Sequence, residues 1–213
     1  MIPTKAEMYA ALEERHGREL QRKLSEASVA ICGLGGLGSN IAIALARAGV
    51  GRLHIIDFDS VEISNLNRQQ YFQEQLGMFK SDALYDTLKR IAPYCDIRKE
   101  CLKLNEDNIP KLLADADIIV EAFDKADQKA MLVNCVLEKM PEKYLVSGSG
   151  MAGIAPSNMI TTKRVTKRFY ICGDGVSDIE DGMGLVASRV LICAGHQAHA
   201  VIRIIAGEYD TNT

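Results

Sequence analysis

The chain has 213 residues, 47% of them hydrophobic, and a formal net charge of −3 from 25 Lys and Arg against 28 Asp and Glu. That length and apolar share suit one α/β domain with a sizeable core, and the slightly acidic balance excludes the basic field that gathers nucleic acid or acidic lipid. Six scattered cysteines, with no C-x-x-C pair among them, argue against a disulfide framework or a zinc site and for reduced thiols. The first twenty residues are charged throughout and do not read as a signal peptide, and no apolar run approaches membrane-spanning length. A soluble, cytoplasmic protein is the expectation.

In chain order, Thr4 to Lys23 reads as one charged amphipathic helix with Met8, Leu12 and Leu20 as apolar anchors. A β-branched run, Val29-Ala30-Ile31, then opens into Gly33-Leu34-Gly35-Gly36-Leu37-Gly38 and an Ala-rich helix from Ser39 to Ala48. Leu53 to Ile56 is a second strand, ended by Asp57. Strand, glycine turn, helix and acid-tipped strand form a βαβ nucleotide site. The glycines allow a tight turn, backbone approach to phosphate or ribose, and close helix packing. Ser81, read as a cap, starts a helix with Leu84, Leu88 and Ile91 at helical spacing, stopped by Pro93.

Cys95 to Leu102 reads as a strand and Glu106 to Leu113 as a short helix beginning near Asn105. Asp117 to Glu121 is a buried parallel strand, with Asp124 just beyond it. Ala126 to Met140 is helical, and Tyr144 to Ser147 is a strand running into a glycine-rich stretch from Gly148 to Gly153. Ser157 to Thr166 holds a strand, Ile171 to Gly184 reads as a loop, and Val186 to Ile205 is a long apolar helix. This alternation predicts a doubly wound, Rossmann-like, mostly parallel α/β sheet with flanking helices, its ligand beyond the strands' carboxyl ends. One domain is expected over 1–213: an N-terminal helix at 4–23, a nucleotide-binding core at 28–153, and a crossover loop with the C-terminal helix at 154–207.

A G-x-G-x-x-G turn with an acid after the next strand most often marks an NAD-dependent dehydrogenase, with Asp57 on the ribose hydroxyls. The following residues argue otherwise. Asp57-Phe58-Asp59-Ser60-Val61-Glu62-Ile63-Ser64-Asn65-Leu66-Asn67-Arg68-Gln69 puts an amide and a guanidinium beside that acid, and Lys80 follows. Such groups suit a triphosphate better than nicotinamide. Asp124 has two readings: a carboxylate for Mg²⁺ or a cap for the next helix. Lys80 likewise reads as a phosphate ligand or a solvated helix start. Cys32 and Cys193 read as core, whereas Cys172 reads as core or as a reactive thiol beside a lid loop.

GLGGLGS followed by DFDSVEISNLNRQ resembles the signature of the ThiF/MoeB family, bacterial relatives of ubiquitin-activating enzymes, with similarity over roughly Arg15 to Gly207. The resemblance implies adenylation of the C-terminal glycine of a small β-grasp carrier protein ending in Gly-Gly, with ATP and Mg²⁺, releasing pyrophosphate. It puts the glycines Gly33, Gly35, Gly36 and Gly38 with Asp57 and Asp59 on the nucleotide, the triphosphate near Asn65, Arg68 and Lys80, and Mg²⁺ near Asp124. Arg15-His16-Gly17-Arg18 is similar to a family segment whose second Arg reaches the other subunit's site, so the resemblance implies a homodimer completed by Arg18. Gly195 to Ala200 resembles the family's final-helix motif. The family's two zinc-binding C-x-x-C pairs are missing here, so no zinc is expected, and Gly173 to Gly184 lacks the cysteine used for covalent sulfur transfer. The nearest resemblance is to the short, zinc-less ThiF-like adenylyltransferases of a ThiS-like carrier in thiamine biosynthesis. Open alternatives are an enzyme like tRNA threonylcarbamoyladenosine dehydratase, an NAD-dependent dehydrogenase, and a non-catalytic nucleotide-binding scaffold.

Overall fold

In a computed structural model, residues 3–179 and 184–209 are described. Their sheet has strands β1 (Ser28–Cys32), β2 (Arg52–Ile56), β3 (Asp96–Glu100), β4 (Ile118–Glu121), β5 (Tyr144–Gly148), β6 (Thr161–Arg164) and β7 (Phe169–Gly173). Their spatial order is β3-β2-β1-β4-β5-β7-β6. Every pairing is parallel except that of β6 with β7. The chain winds outward from β1 to β3, then returns to place β4 on β1's other side. Such a reversal opens a crevice beyond the carboxyl ends of β1 and β4. The expected doubly wound α/β sheet is present.

The helices are α1 (Lys5–His16), α2 (Arg18–Glu26), α3 (Gly36–Ala48), α4 (Lys80–Ile91), α5 (Ile109–Leu112), α6 (Ala126–Lys139) and α7 (Ala187–Ala206). Alternation along β1 divides the core between the two faces. Val29 and Ile31 join Ile41, Leu45, Leu84, Leu88 and Val201 from α3, α4 and α7, whereas Ala30 and Cys32 join Ile109, Leu132 and Val136 from α5 and α6. All five β1 residues are buried, as a central parallel strand requires. At about 25 cal/mol per Å² of apolar surface, these two layers supply most of the drive to close the fold.

Four local expectations are corrected. Thr4 to Lys23 is two helices, because Gly17 adopts φ of 91° and turns the chain between them. Helix α1 buries no residue, so nothing holds it collinear with α2, which buries Gln21 and Leu24. Helix α3 starts at Gly36 rather than Ser39. Ser81 is not a cap: α4 is preceded by Phe79 without a side-chain cap, and the Ser81 hydroxyl is buried inside the first turn. Finally, Ile171 to Gly173 belongs to β7, whose backbone is paired on both sides by β5 and β6. Asp210 to Thr213, part of the expected tail, lies outside the described residues, as do Glu180 to Met183 of the expected loop.

Candidate functional site

Beyond the carboxyl ends of the strands lies a cavity of about 460 Å³. It runs from Asp57, Asp59 and Lys80 at the β2 side, past Gly33, Gly35 and Gly36 and then Asp124, to Gly148–Ala152 and Gly175–Ile179 at the far side. That volume falls within the usual range for a small-molecule site.

The glycine turn is built by backbone packing. The Gly33 N–H donates to the Ile56 carbonyl at 2.9 Å, and φ of 91° there is a left-handed value that glycine adopts without strain. A Cβ on Gly38 would sit 1.8 Å from the Gly33 carbonyl oxygen, so Gly38 lets α3 lie directly on the turn. Gly38 packs and does not line the cavity, whereas a Cβ on Gly35 would meet only the Gln69 amide, at 3.7 Å. No side chain caps α3, so its first amides are free to meet an anion.

Asp57 ends β2 and is 8% exposed. One oxygen accepts the Leu34 N–H at 2.6 Å and the other the Asp59 N–H at 2.8 Å. Burial pushes its carboxyl above the ordinary value, against the opposing pull of Lys80 and these two amides. Lys80 opens α4 with its side chain 8% exposed and its Nζ 3.0 Å from Asp59 Oδ2. The alternative of a solvated helix-start lysine is therefore excluded. A cation this buried beside two carboxylates puts concentrated charge on one cavity wall.

Arg68 also lines the cavity, with Nη1 donating to the Ser64 carbonyl at 3.0 Å and to Asn67 Oδ1 at 2.8 Å, and with its Nε buried and unpartnered. Asn65 is buried beneath it and off the cavity wall. Its Oδ1 accepts the Glu62 N–H at 3.0 Å, shaping the turn that carries Arg68. Asp124 is exposed on the wall after β4, and α6 has Lys125 at its cap position and no side-chain cap, which removes the capping alternative. Arg18 lies away from its own chain's cavity, its side chain 87% exposed and 3.4 Å from Glu13.

Two groups were not anticipated from sequence. Glu121, fully buried at the end of β4, accepts from the Phe123 N–H at 2.7 Å, from Lys129 Nζ at 2.6 Å and from the Ser147 hydroxyl. One carboxylate thus joins β4, α6 and β5 around Asp124, and Lys129 reaches the cavity wall. The available signal was an acid closing an apolar strand. The second group is Arg189 with Asp174, signalled only by an arginine in the first turn of a largely apolar helix. Cys172 is fully buried and its thiol is pushed up to about 11 by burial, with Thr162 opposing, which disfavours a reactive thiolate. Among the described residues, no group of three or more His, Cys, Asp or Glu is placed to hold a metal ion, and no helix is long and apolar enough to cross a membrane.

Fold and cavity define the class: a doubly wound α/β protein with its cavity at the topological switch point, the architecture that seats nucleotides. Residues 9–213 match the ThiF family, and the chain belongs to that family. It is 31% identical over 197 residues to the molybdopterin-synthase adenylyltransferase of Salmonella typhimurium, covering 88% of this chain and 76% of that one. It is 39% identical over 137 residues to the adenylyltransferase and sulfurtransferase MOCS3 of Culex quinquefasciatus, covering 63% of this chain. The match spans only 31% of that longer relative. In fold it resembles the ATP complex of the E. coli tRNA N6-threonylcarbamoyladenosine dehydratase TcdA, with a TM-score of 0.85, 18% identity and 98% of both chains covered.

Proposed function

We propose that this chain is an ATP-dependent adenylyltransferase that activates the C-terminal glycine carboxylate of a small β-grasp, ThiS-like carrier protein ending in Gly-Gly, releasing pyrophosphate, in thiamine biosynthesis. The observation that carries the reading is Lys80: a buried cation sharing one cavity with Arg68 and the ribose-type acid Asp57. A triphosphate needs that charge and a nicotinamide does not. The adenylyltransferase names of the Salmonella and Culex relatives point the same way.

Asp57 accepts the ribose hydroxyls while the first amides of α3 face the phosphates. A carboxylate oxygen of the carrier bonds to the α-phosphorus, the α–β bridging P–O bond breaks, and pyrophosphate leaves with that electron pair. The nucleophile is already ionised, so no general base is required. Alignment and neutralisation by Lys80, Arg68 and the incoming Arg18 of a second copy supply the acceleration. Asp124, one exposed carboxylate on the wall, fits Mg²⁺, a cation that is usually held by one or two carboxylates together with substrate phosphates, and would be the residue to hold it here. The metal neutralises phosphate charge when bound. Reaction between a soluble carrier and ATP fits a cytoplasmic enzyme.

The test is ATP–pyrophosphate exchange with purified protein and a ThiS-type carrier ending in Gly-Gly. Carrier-dependent exchange is expected, together with its loss in Arg68→Ala and Asp124→Ala proteins that remain folded. Exchange started by tRNA instead of carrier would select the dehydratase alternative, and binding of NAD without ATP would select the dehydrogenase.

A further inference from the structure

The far end of the cavity is roofed by two loops. One follows β5 from Ser149 to Pro156 and the other follows β7 from Asp174 to Ile179. Their backbones are joined: the Ser149 N–H donates to the Cys172 carbonyl at 2.8 Å, the Asp174 N–H to Gly150 at 2.9 Å, and the Gly175 N–H to Ser149 at 3.0 Å. The Ala152 N–H donates to the Ser177 hydroxyl at 3.1 Å. The joint is tight, since a Cβ on Gly150 would lie 2.1 Å from Asp174 Oδ1.

One ion pair ties both loops to α7. Arg189 Nη2 lies 2.5 Å from Asp174 Oδ2, with side-chain exposures of 4% and 1%. The other Asp174 oxygen accepts the Val176 and Ser177 amides at 2.9 Å each. Arg189 Nη1 donates to the Ala155 carbonyl and, at 3.1 Å, to that of Pro156. The guanidinium therefore holds the β7 loop through a carboxylate and the β5 loop through carbonyls. Only a planar fork of donors satisfies both at once. A buried ion pair adds little net stability over apolar residues of similar size, so such a pair at a cavity rim is better explained by the geometry it holds.

The sheet order says which substrate lies beneath the roof. With the ribose at the end of β2 and phosphates over the α3 N-terminus beyond β1, the cavity still extends past β4 to β5 and β7. The roof residues that line it, Gly148–Ala152 and Gly175–Ile179, include no Lys or Arg and so offer no side-chain cation to phosphate.

We propose that Arg189 and Asp174 are positioning residues for the carboxylate substrate, holding the roof under which it meets the nucleotide. The proposal rests on the adenylyltransferase reading above. Its test compares Arg189→Met, Asp174→Asn and Arg189→Lys with the unsubstituted protein. ATP binding is measured by calorimetry, steady-state pyrophosphate exchange with a carrier ending in Gly-Gly, and amide hydrogen exchange by NMR or mass spectrometry. The first two variants should keep ATP affinity within about twofold while the carrier KM rises about tenfold or more and kcat falls less. Arg189→Lys should restore part of the carrier KM. The Val176 and Ser177 amides should exchange faster in Asp174→Asn while those in the interior of α3, beyond its first turn, stay protected. An unchanged carrier KM in folded variants that bind ATP overturns the proposal alone, and so does a parallel loss of ATP affinity. Absence of carrier-dependent exchange in the unsubstituted protein overturns the adenylyltransferase reading, and this proposal with it.

Discussion

The two ends of the cavity are built on different plans. At the β2 end, the glycine turn, Asp57, Asp59 and Lys80 come from one stretch of chain, with short contacts such as Asp57 to the Asp59 amide at 2.8 Å. At the β5–β7 end, an arginine of the last helix reaches back to Asp174 and to Ala155 and Pro156 in two separate loops. The first end is made by local chain conformation over a helix N-terminus and the second by tertiary clamping. A local motif can be reused with many partners, whereas a clamp belongs to the loops that it joins. On this view the β2 end sets what nucleotide is held, and the β5–β7 end sets what is brought to it.

The largest expected effect lies at the first end. Lys80→Met removes the buried cation facing Asp59 and the proposed triphosphate, and should slow pyrophosphate exchange about 10²- to 10³-fold, or about 3 to 4 kcal/mol. Circular dichroism should remain that of the folded protein, because the methionine stem still fills the site. Exchange within a few-fold of the unsubstituted rate would move the phosphate site away from this wall and dissolve the contrast between the ends.

Next is Gly38→Ala. Alanine raises helix propensity by about 1 kcal/mol, but its Cβ would lie 1.8 Å from the Gly33 carbonyl oxygen. Overpacking against backbone wins, and denaturant unfolding should show a net loss of about 3 kcal/mol. Gly35→Ala, with its nearest neighbour at 3.7 Å, should stay near parental stability. If both fall alike, the division between a packing glycine and a cavity glycine in one motif is wrong.

A smaller effect is expected behind the middle of the cavity, where Glu121 joins β4, α6 and β5. Lys129→Met leaves a fully buried carboxylate with only the Phe123 amide and the Ser147 hydroxyl. One-quarter exposure of the lysine tempers the loss to about 2 to 3 kcal/mol, below the range for fully buried pairs. Adding Glu121→Gln should recover part of it, as a double-mutant cycle would record.

Legibility in the sequence follows the same division. The doubly wound sheet and the glycine turn were readable because hydrophobic period and turn chemistry are local properties. Asp57 was readable as the acid closing the second strand, whereas Lys80 stayed open between a phosphate ligand and a solvated helix start, which only its burial beside Asp59 resolves. The Gly17 break was missed because a helix that buries nothing has no apolar face to show where it stops. Strand β7 was missed because Ile171-Cys172-Gly173 runs into a Gly- and Asp-rich stretch, and only pairing with β5 and β6 makes it a strand. The Arg189–Asp174 and Glu121–Ser147 contacts, 15 and 26 residues apart, carry no periodic signal; the first arises when α7 packs against the loop after β7 and the second when β4 registers with β5.

Acid should separate the ends by the sign of its effect, the smallest of the expected changes. Burial works to raise the Asp174 carboxyl, but the Ser177 and Val176 amides, the Ser177 hydroxyl and Arg189 outweigh it and hold it at about 2. Its unfolded counterpart binds more protons between the ordinary carboxylate value and that one. Stability from Asp174 is therefore complete above about pH 4 and is lost as pH falls toward 2, a contribution of about 2 kcal/mol. Asp57 is shifted the other way by burial, so the folded state binds its proton more readily and the penalty for its charge is relieved by acid. Relative to the unsubstituted protein, Asp174→Asn should be less stable at pH 6 and converge with it near pH 2. Asp57→Asn should gain relative stability as pH rises through the acidic range. Unfolding midpoints measured from pH 6 to pH 2 give both slopes, and two slopes of one sign would mean that the ends share an electrostatic design.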